Sequence, residues 1–360
     1  MTGLVVNLAF LNRQPTGLMT YGMNLIPHLH DLHPTLLTPQ PFPGETTHPI
    51  PTTMTADHGS KGHARRLLWT QMSLPPLCHK LDASLLFSPI PEAPLGSRLR
   101  SVVTVHDVIP LRFPKRLSPL TLYSRYYVPQ VLRQADHILA NSEATAQDVV
   151  DFFDIPAAAI TPIPLAYDAD HFRVLDLPKR NYFLVLGRPD PHKNIHRVIE
   201  AFAQLLHQWP KQSEVELWLA GTPDPTFTPQ LITHAEDVGI ADQVKVLDYV
   251  SYEALPTLLN QAIALVFPSL WEGFGLPVLE AMACGTPVIT SNLSSLPEVA
   301  GDAALLVDPY DVGAIALAMG TILTDDTARH DLRTAGLERV KQFSWEKTGQ
   351  RTVDVLKQYL

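Results

Sequence analysis

Two glutamates flank a glycine-containing loop in the second half of the chain. Glu272 stands directly before Gly273 and Gly275, and Glu280 falls in the first turn of the helix predicted to follow. The loop comes after an apolar segment, residues 263–267, that predicts a buried strand. A strand, a glycine loop and a helix N-terminus form an anion site, because the unpaired N–H groups and the helix dipole both favour phosphate. Carboxylates would oppose phosphate there unless they accept hydrogen bonds from hydroxyls, so the pattern indicates a phosphorylated sugar.

Two other interpretations of these residues stay open. Glu280 would also complement the dipole of a helix that has Pro277 at its first position, with the two glycines serving as turn residues. The two glutamates would also fit a glycosidase pair, whose carboxyl groups lie ~5–5.5 Å or ~6.5–9.5 Å apart. Their separation in sequence does not exclude that chemistry, but a phosphate site between them argues against it.

A second loop carries two cations. Arg188 and Lys193 precede a predicted helix that has Asn194 as its N-cap. Two positive charges near a helix N-terminus suit a diphosphate, although two solvated loop cations are the simpler alternative. The sequence near this loop contains no Asp-x-Asp and no histidine cluster at metal-ligand spacing. We therefore predict that these cations stabilise a leaving diphosphate without a metal ion.

The first half of the chain offers one candidate of its own. The β-branched segment 101–105 predicts a short strand that ends at His106 and Asp107. Such a histidine titrates near neutral pH and would be oriented by the neighbouring carboxylate, although a purely structural histidine is the alternative. Near the N-terminus, residues 15–22 include Gly17 but lack Gly-x-Gly-x-x-Gly spacing, which counts against a dehydrogenase.

The elements that must position these residues alternate between strand and helix. Apolar runs closed by turn residues, with helical stretches between them, predict a doubly wound parallel sheet in the second half. The first half alternates less regularly and predicts a second α/β domain, with helices starting at Ser118–Pro119 and after Ser142. The predicted strands lie at residues 4–10, 83–87, 101–105, 137–140 and 159–163, then 181–187, 215–220, 244–248, 263–267, 287–291 and 304–308.

The polar, proline-containing stretch 174–180 predicts the linker between the two domains. We expect an N-terminal domain over residues 1–175, a C-terminal domain over 176–343, and a final helix over 344–360 that returns to the first domain. Ligands of open α/β sheets bind outside the carboxyl ends of the strands. Two such domains facing each other are expected to form a cleft.

Composition narrows the function classes. The 360 residues are 46% hydrophobic, enough for a sizeable core, and 27 Lys and Arg against 36 Asp and Glu give a net charge of −9. That sign disfavours a dedicated nucleic-acid binder. Cys78 and Cys284 are expected to be reduced, buried thiols. The N-terminal residues predict a strand rather than a signal peptide, and no apolar run approaches the roughly 18 residues of a membrane span, so we expect a cytoplasmic protein.

Taken together, these motifs resemble the retaining glycosyltransferases of family 4. Residues 271–289 read WEGFGLPVLEAMACGTPVI, and they are followed by SN at 291 and LPEVAG at 296–301. Further matches lie at residues 16–17, 103–107, 140–142, 187–194 and 219–221, so the resemblance covers nearly the whole chain. It implies the GT-B fold of two Rossmann-like domains, a nucleotide-sugar donor held mainly by the second domain, an acceptor held mainly by the first, and no metal or other cofactor.

The resemblance also assigns roles residue by residue. It implies that Glu272 holds donor sugar hydroxyls and that Glu280 takes the ribose hydroxyls. His106 would lie beside the transferred sugar, and Arg188 and Lys193 would neutralise the diphosphate. Donor phosphate and sugar would also contact Gly17 and the amides of Gly273, Phe274, Gly275 and Leu276. Residues 165–168 depart from the family pattern, so no function is carried onto that turn.

The sequence thus predicts transfer of a hexose, with retention, from a nucleotide diphosphate sugar to a hydroxyl of a glycan or lipid-linked acceptor in polysaccharide biosynthesis. The overall resemblance to the family favours GDP-mannose as the donor, with UDP-glucose next. Other GT-B chemistry, such as sugar-nucleotide epimerisation or phosphorolysis, and a non-catalytic sugar-binding protein are the alternatives. Basic residues also suggest peripheral contact of the first domain with the inner face of the membrane, with ordinary solvated loops as the alternative. They are residues 61–66, Arg98, Arg100, Arg112, Lys115 and Arg116.

Overall fold

The computed structural model describes residues 3–11, 17–115, 118–210 and 214–360. The chain forms two compact units. Met1–Leu165 together with Ser344–Leu360 make the first, and Ala166–Phe343 make the second. The division thus follows Leu165 rather than residue 175.

The segment expected to link the domains packs within the second unit. Asn260 holds it there, because its side-chain amide donates to the carbonyl oxygen of Arg173 (2.9 Å) and its side-chain oxygen accepts from the amide of Leu175 (2.8 Å). The ring of Phe172 is buried and packs edge-on against Tyr252, with ring centroids 5.6 Å apart. A polar, proline-containing composition therefore did not mark the domain boundary here.

The first unit is built on a parallel sheet, which has seven strands in the described residues. Its strand order is β3-β2-β1-β4-β5-β6-β7, the arrangement of a doubly wound fold. The strands are β1 (Leu4–Asn7), β2 (Thr35–Thr38), β3 (Thr46–Pro49), β4 (Leu85–Ser88), β5 (Arg100–Val105), β6 (His137–Ala140) and β7 (Ile160–Pro162). The helices are α1 (Gly17–Leu25), α2 (Gly59–Met72), α3 (Leu74–Lys80), α4 (Ile109–Arg112), α5 (Pro119–Leu122), α6 (Val128–Gln134) and α7 (Glu143–Phe153).

Five strands of the first unit were predicted from sequence, and β2 and β3 were missed. Most of the predicted strands could be recognised because they contain consecutive buried, apolar residues, as β4 does. β3 is an edge strand without a buried residue, and its sequence TTHP carries no apolar periodicity. The predicted cap of α7 is confirmed, since the hydroxyl of Ser142 accepts from the amide of Thr145 at 2.9 Å.

The second unit repeats the doubly wound pattern, and all six of its predicted strands are confirmed within a residue or so of their expected ends. The parallel order is β10-β9-β8-β11-β12-β13. The strands are β8 (Tyr182–Leu186), β9 (Glu216–Ala220), β10 (Val244–Leu247), β11 (Ala264–Phe267), β12 (Val288–Ser291) and β13 (Leu305–Val307). The helices are α8 (Ile195–Gln208), α9 (Phe227–Asp237), α10 (Leu255–Gln261), α11 (Leu276–Ala283), α12 (Leu296–Ala300), α13 (Val312–Thr324) and α14 (Asp326–Arg339).

The core of the second unit forms where the apolar stripe of α8 packs on the sheet. Val198, Ile199 and Phe202 are fully buried, as their helical spacing predicts, and they join Phe183 of β8 in one cluster. The last helix, α15 (Trp345–Leu356), belongs to the first unit. Cys78 and Cys284 are free and buried. Within the described part of the chain, every helix falls short of the length and apolar character needed to cross a membrane.

Candidate functional site

The glycine loop after β11 is fixed by two serines. The hydroxyl of Ser295 donates to the carbonyl oxygens of Phe274 (2.6 Å) and Glu272 (3.1 Å), and the amide of Glu272 donates to the hydroxyl of Ser294 (3.1 Å). Gly275 ends the loop with φ +115°, a conformation that favours glycine. A Cβ atom on Gly275 would also lie 2.9 Å from the side chain of Leu296. The loop is therefore held in one conformation by its hydrogen bonds to Ser294 and Ser295.

The helix that follows the loop begins one residue earlier than the sequence predicts. α11 starts at Leu276, so Pro277 is its second residue and Glu280 its fifth, and no acidic side chain lies in the first turn. The first amides of a helix have no intrahelical acceptor and carry the positive end of the dipole. The anion site at this N-terminus therefore stays a prediction, while the placement of Glu280 in the first turn was wrong.

The structure brings Glu272 and Lys193 together, a pairing that the sequence analysis did not anticipate. The Nζ atom of Lys193 lies 2.6 Å from Oε1 of Glu272, and both side chains are largely buried. The same ammonium lies 4.9 Å from the ring centroid of Phe267, the last residue of β11. One ion pair therefore joins the loop after β8 to the loop after β11.

The loop after β8 is positioned by a buried asparagine. Asn194 lies before α8 with φ +61°, and its side chain donates to the carbonyl oxygens of Pro268 (3.1 Å) and Pro309 (2.6 Å) rather than capping the helix. Asn194 is therefore the N-cap residue of α8, as predicted, but its side chain makes no capping hydrogen bond. The loop after β8 also packs closely against the backbone that follows β9, because a Cβ on Gly221 would lie 2.2 Å from the carbonyl oxygen of Gly187.

Arg188, on the same loop, pairs with two carboxylates. Its guanidinium donates to Asp224 at 3.1 Å and lies 4.0 Å from Asp190, while more than half of the side chain stays exposed. The pKa of Asp224 is lowered by hydrogen bonds from the amides of Phe227 and Thr226 and then by Arg188. Both predicted cations therefore have carboxylate partners within the protein.

Glu280 has a different environment from Glu272. Among the described residues, its carboxyl group has no hydrogen-bond donor and no cationic partner, and burial raises its pKa to about 7. Tyr252 lies close enough for the two groups to interact electrostatically. The phenol of Tyr252 donates to Asp168 at 3.3 Å, and its ring stacks on His171 at 4.0 Å between centroids. A carboxyl group poised near neutral pH is suited to accept hydrogen bonds from ligand hydroxyls.

His106, in the first unit, follows β5 as predicted, but a backbone group orients it rather than Asp107. Its Nε2 lies 2.8 Å from the carbonyl oxygen of Pro89, so Nε2 carries the proton and Nδ1 is an acceptor. Burial lowers the pKa of His106 to about 4, which keeps the ring neutral at physiological pH. Tyr21 of α1 packs edge-on against the ring at 4.8 Å between centroids.

A cavity of about 470 Å³ within the first unit is lined by His106. The buried ion pair of Arg66 and Glu92 forms part of its wall, with Nε–Oε2 at 2.9 Å and Nη2–Oε1 at 2.8 Å. Apolar side chains such as Ile90 and Val108 complete much of the lining. The cavity therefore combines an apolar surface with a few fixed polar groups, the usual make-up of a small-molecule site.

Three further predicted site residues are Gly17, Phe274 and Leu276. Gly17 is the exposed first residue of α1, and Thr16, which the family pattern pairs with it, lies outside the described residues. The side chain of Phe274 is buried and packs edge-on against Phe343, so only its backbone is available to a ligand. Leu276 supplies the first amide of α11.

Several of the basic residues behind the membrane hypothesis have internal partners. Arg66 is buried in its pair with Glu92, the guanidinium of Arg112 pairs with Asp148, and Arg100 donates to the backbone at Tyr359 (3.2 Å). The first unit therefore presents fewer free cations than its sequence suggests, and membrane contact stays a prediction. Lys61, Arg65, Arg98 and Lys115 are exposed, and Arg116 lies outside the described residues.

Sequence reasoning missed the partners that organise the site. Ser294 and Ser295 follow β12, and Asp224 follows β9, so each lies at the carboxyl end of a strand, which is the signal that could have identified them. Tyr252 has no such signal, because it comes from a short turn before α10. Across the described residues, His, Cys, Asp and Glu side chains form no group of three or more suited to hold a metal ion.

Two family models match the chain. The one described as Glycosyltransferase Family 4 matches residues 15–171, and the one described as Glycosyl transferases group 1 matches residues 168–339. O-antigen chain mannosyltransferase B of Escherichia coli is 33% identical over 271 residues, which cover 72% of this chain and 70% of that protein. The serotype-specific mannosyltransferase WbdA of Escherichia coli is 32% identical to this chain. The match covers 71% of this chain but only 33% of the length of WbdA.

Solved structures share the fold over nearly the whole chain. Sucrose-phosphate synthase from Thermosynechococcus elongatus superposes with a TM-score of 0.76 at 20% identity and covers 99% of this chain and 98% of its own. Anabaena Alr3699/HepE in complex with UDP-glucose gives a TM-score of 0.74 at 15% identity and covers 99% of both chains. Together with the two doubly wound sheets, these matches establish a GT-B type fold of two Rossmann-like domains.

Proposed function

We propose that this chain, which belongs to glycosyltransferase family 4, transfers mannose from GDP-mannose to a hydroxyl of a glycan or lipid-linked acceptor in polysaccharide biosynthesis, with retention at the anomeric carbon. Relatives named as mannosyltransferases support mannose as the sugar. The observation that carries the proposal is the Lys193–Glu272 pair, which joins the loop after β8 to the loop that precedes α11.

Each part of the donor has a matching group in the second unit. The cation of Lys193 and the first amides of α11 suit the diphosphate, because both offer positive charge to phosphate oxygens. Glu272 accepts hydrogen bonds from mannose hydroxyls, and Glu280 accepts from the ribose hydroxyls. Arg188 exchanges part of its contact with Asp224 for the diphosphate. A donor bound in this way needs no metal ion for charge neutralisation, since two side-chain cations serve the leaving group.

The cavity beside His106 is the proposed place of the acceptor. Its apolar lining suits the face of a sugar ring, and the neutral imidazole accepts a hydroxyl proton at Nδ1 in a hydrogen bond. In the reaction, the acceptor oxygen forms a bond to the anomeric carbon as the bond from that carbon to the β-phosphate oxygen breaks. The acceptor hydroxyl proton passes to the leaving phosphate oxygen. No protein base is required in this scheme.

Product analysis tests the proposal. The purified chain is incubated with GDP-mannose and methyl α-D-mannoside, with UDP-glucose in a parallel reaction, and the disaccharide and its anomeric configuration are read by NMR. We expect an α-mannosyl product and one GDP released for each bond formed. GDP-mannose that epimerises without GDP release indicates an epimerase. A further reaction contains methyl α-D-mannoside and inorganic phosphate, and mannose phosphate formed there with release of methanol indicates a phosphorylase. Donor binding without any turnover indicates a sugar-binding protein.

A further inference from the structure

A second cavity lies in the second unit, at the edge of the sheet opposite the glycine loop. It has a volume of about 510 Å³ and is lined by the residues that precede the strands β8, β11 and β12, namely Asn181, Ile263 and Pro287. The glycine loop, by contrast, follows the carboxyl end of β11. The two sites therefore lie at opposite ends of the same strands, and the proposed donor does not account for this cavity.

The lining of this cavity is strongly basic. Among the described residues that form it, there are five basic side chains and no carboxylate. This is the reverse of the chain as a whole, whose net charge is −9, with the acidic excess confined to residues beyond 175. The basic residues are Lys179, Arg180, Arg329, His330 and Arg333.

Backbone carbonyls hold most of these cations in place without neutralising them. Nη1 of Arg333 donates to the carbonyl oxygen of Gly285 at 3.0 Å, and Nζ of Lys179 donates to that of Ala262 at 3.2 Å. Each contact uses one of several donors, since a guanidinium has five N–H groups and an ammonium three. Arg329 also pairs with Asp326, and Arg180 lies close enough to Glu216 for the two groups to interact electrostatically.

Arg180 is the most available of the group. Its guanidinium lies over the ring of Trp218, 4.8 Å from the centroid, and donates no hydrogen bond within the described residues. Stacking on an indole fixes the plane of the guanidinium while its edge donors stay open. That arrangement suits bidentate recognition of a phosphate group.

The crowding of positive charge affects Lys179. Burial lowers the pKa of its ammonium to about 8, and the charge of Arg333 contributes in the same direction, while Cys284 acts weakly against it. A bound anion would relieve the repulsion and favour the charged form of Lys179. Ligand binding near pH 8 is therefore coupled to proton uptake.

We propose that this cavity binds a phosphate group that carries two negative charges, with Arg180, Arg333 and Lys179 as its ligands. The chemistry is shared by a soluble phosphate ester and by the headgroup of phosphatidic acid, and the volume exceeds that of a single phosphate, so the rest of the molecule has room as well. This site is independent of the proposed transferase activity, because it lies at the other end of the strands.

Calorimetric titration with inorganic pyrophosphate tests the site. GDP is present at saturation to occupy the proposed donor site, and wild type is compared with Arg180→Gln and Arg333→Gln. We expect each substitution to raise the Kd for pyrophosphate about tenfold, the loss of one charge-assisted hydrogen bond. Lys357→Gln removes an exposed cation from the first unit and is the matched control, with an unchanged Kd. The side chain of Arg180 donates no hydrogen bond in the described part of the chain, so its variant loses little more than the stacking on Trp218 and is expected to melt within a few degrees of wild type.

A pH series and a lipid arm complete the experiment. With sulfate, a dianion that does not titrate in this range, binding should weaken as the pH rises through about 8. Co-sedimentation with phosphatidylcholine vesicles, with and without phosphatidic acid, separates a headgroup ligand from a soluble one, and Arg180→Gln should reduce either. Equal Kd values in wild type and Arg180→Gln, or no binding of pyrophosphate and phosphatidic acid by wild type, overturns the proposal. Failure of GDP to bind would instead count against the proposed function.

Discussion

Replacing Glu272 by glutamine separates the roles of the two glutamates. Gln keeps the size and one hydrogen-bond acceptor of Glu272 but removes the charge that faces the ammonium of Lys193 at 2.6 Å. If the carboxylate of Glu272 stabilises the positive charge that develops at the anomeric carbon, the variant loses transition-state stabilisation. Glu280→Gln should instead weaken nucleotide binding, because contacts to ribose are made equally in the ground and transition states.

The structure sets the size of the effect. At 2.6 Å and an effective dielectric constant of about 20, the Lys193–Glu272 attraction is about 6 kcal/mol before desolvation. Breaking a largely buried pair from one side costs about 3–5 kcal/mol, and we expect the lower end, since glutamine still accepts a hydrogen bond. The free energy of unfolding should fall by about 3 kcal/mol, and the melting temperature by roughly 6–12 °C. The kcat should fall by about 10²-fold, equivalent to about 2.7 kcal/mol.

Calorimetry with free GDP and steady-state kinetics together form the assay. Glu272→Gln should bind GDP at least as tightly as wild type, since the charge of Lys193 is no longer neutralised, while its kcat is low. Glu216→Gln breaks a comparable contact, 2.7 Å to Lys245, on a more exposed pair away from the loop, and should leave both quantities unchanged. Lost GDP affinity in Glu272→Gln together with normal GDP affinity in Glu280→Gln would show that the roles are reversed.

Three further predictions follow from the same site. Turnover should survive excess chelator, and its loss on chelation with recovery on adding magnesium or manganese would disprove the role given to Arg188 and Lys193. Affinity for GDP should fall as the pH drops through about 7, because protonation of Glu280 replaces a charged acceptor for ribose hydroxyls by a weaker, neutral one. Glu280→Gln should flatten this profile and raise the melting temperature at pH 8, and an unchanged profile contradicts the assignment. Gly221→Ala places a Cβ 2.2 Å from the carbonyl oxygen of Gly187, so thermal melts should show a loss of roughly 1–3 kcal/mol, and wild-type stability would mean that the two loops are not tightly packed.

The parts of the fold that the sequence predicts well are those with strong local signals. Most strands of the second unit are continuous apolar runs, and the predicted ends of all six agree with the structure within a residue or so. β3 lacks such a signal because an edge strand need not be apolar. The domain boundary was misplaced for a related reason. The buried side chain of Asn260, far along the chain, holds residues 173–175 in the second unit, and no local pattern records that contact.

In the candidate site, too, the features with a local sequence signal were predicted and the contacts between distant residues were not. The glycine loop, the two glutamates and the two cations were predicted as site residues from residue type and spacing. Their partners were not, because the Lys193–Glu272 and Arg188–Asp224 contacts join loops that are distant in sequence. The orientation of His106 was also wrong at the sequence level, since the group that fixes it is the backbone carbonyl of Pro89, and any residue type would supply that carbonyl.

The Lys193–Glu272 contact also bears on where the glycosidic bond breaks. In the proposed donor complex, Glu272 serves the sugar and Lys193 serves the phosphate, yet their charged atoms lie only 2.6 Å apart. The junction of sugar and phosphate must then lie beside this pair, and that junction is the bond that breaks. As it breaks, positive charge grows on the carbon next to the carboxylate, and negative charge grows on the oxygen next to the ammonium. The pair thus places the opposite charge beside each charge that develops as the bond breaks. Substituting either partner should therefore impair the chemical step more than the binding of GDP.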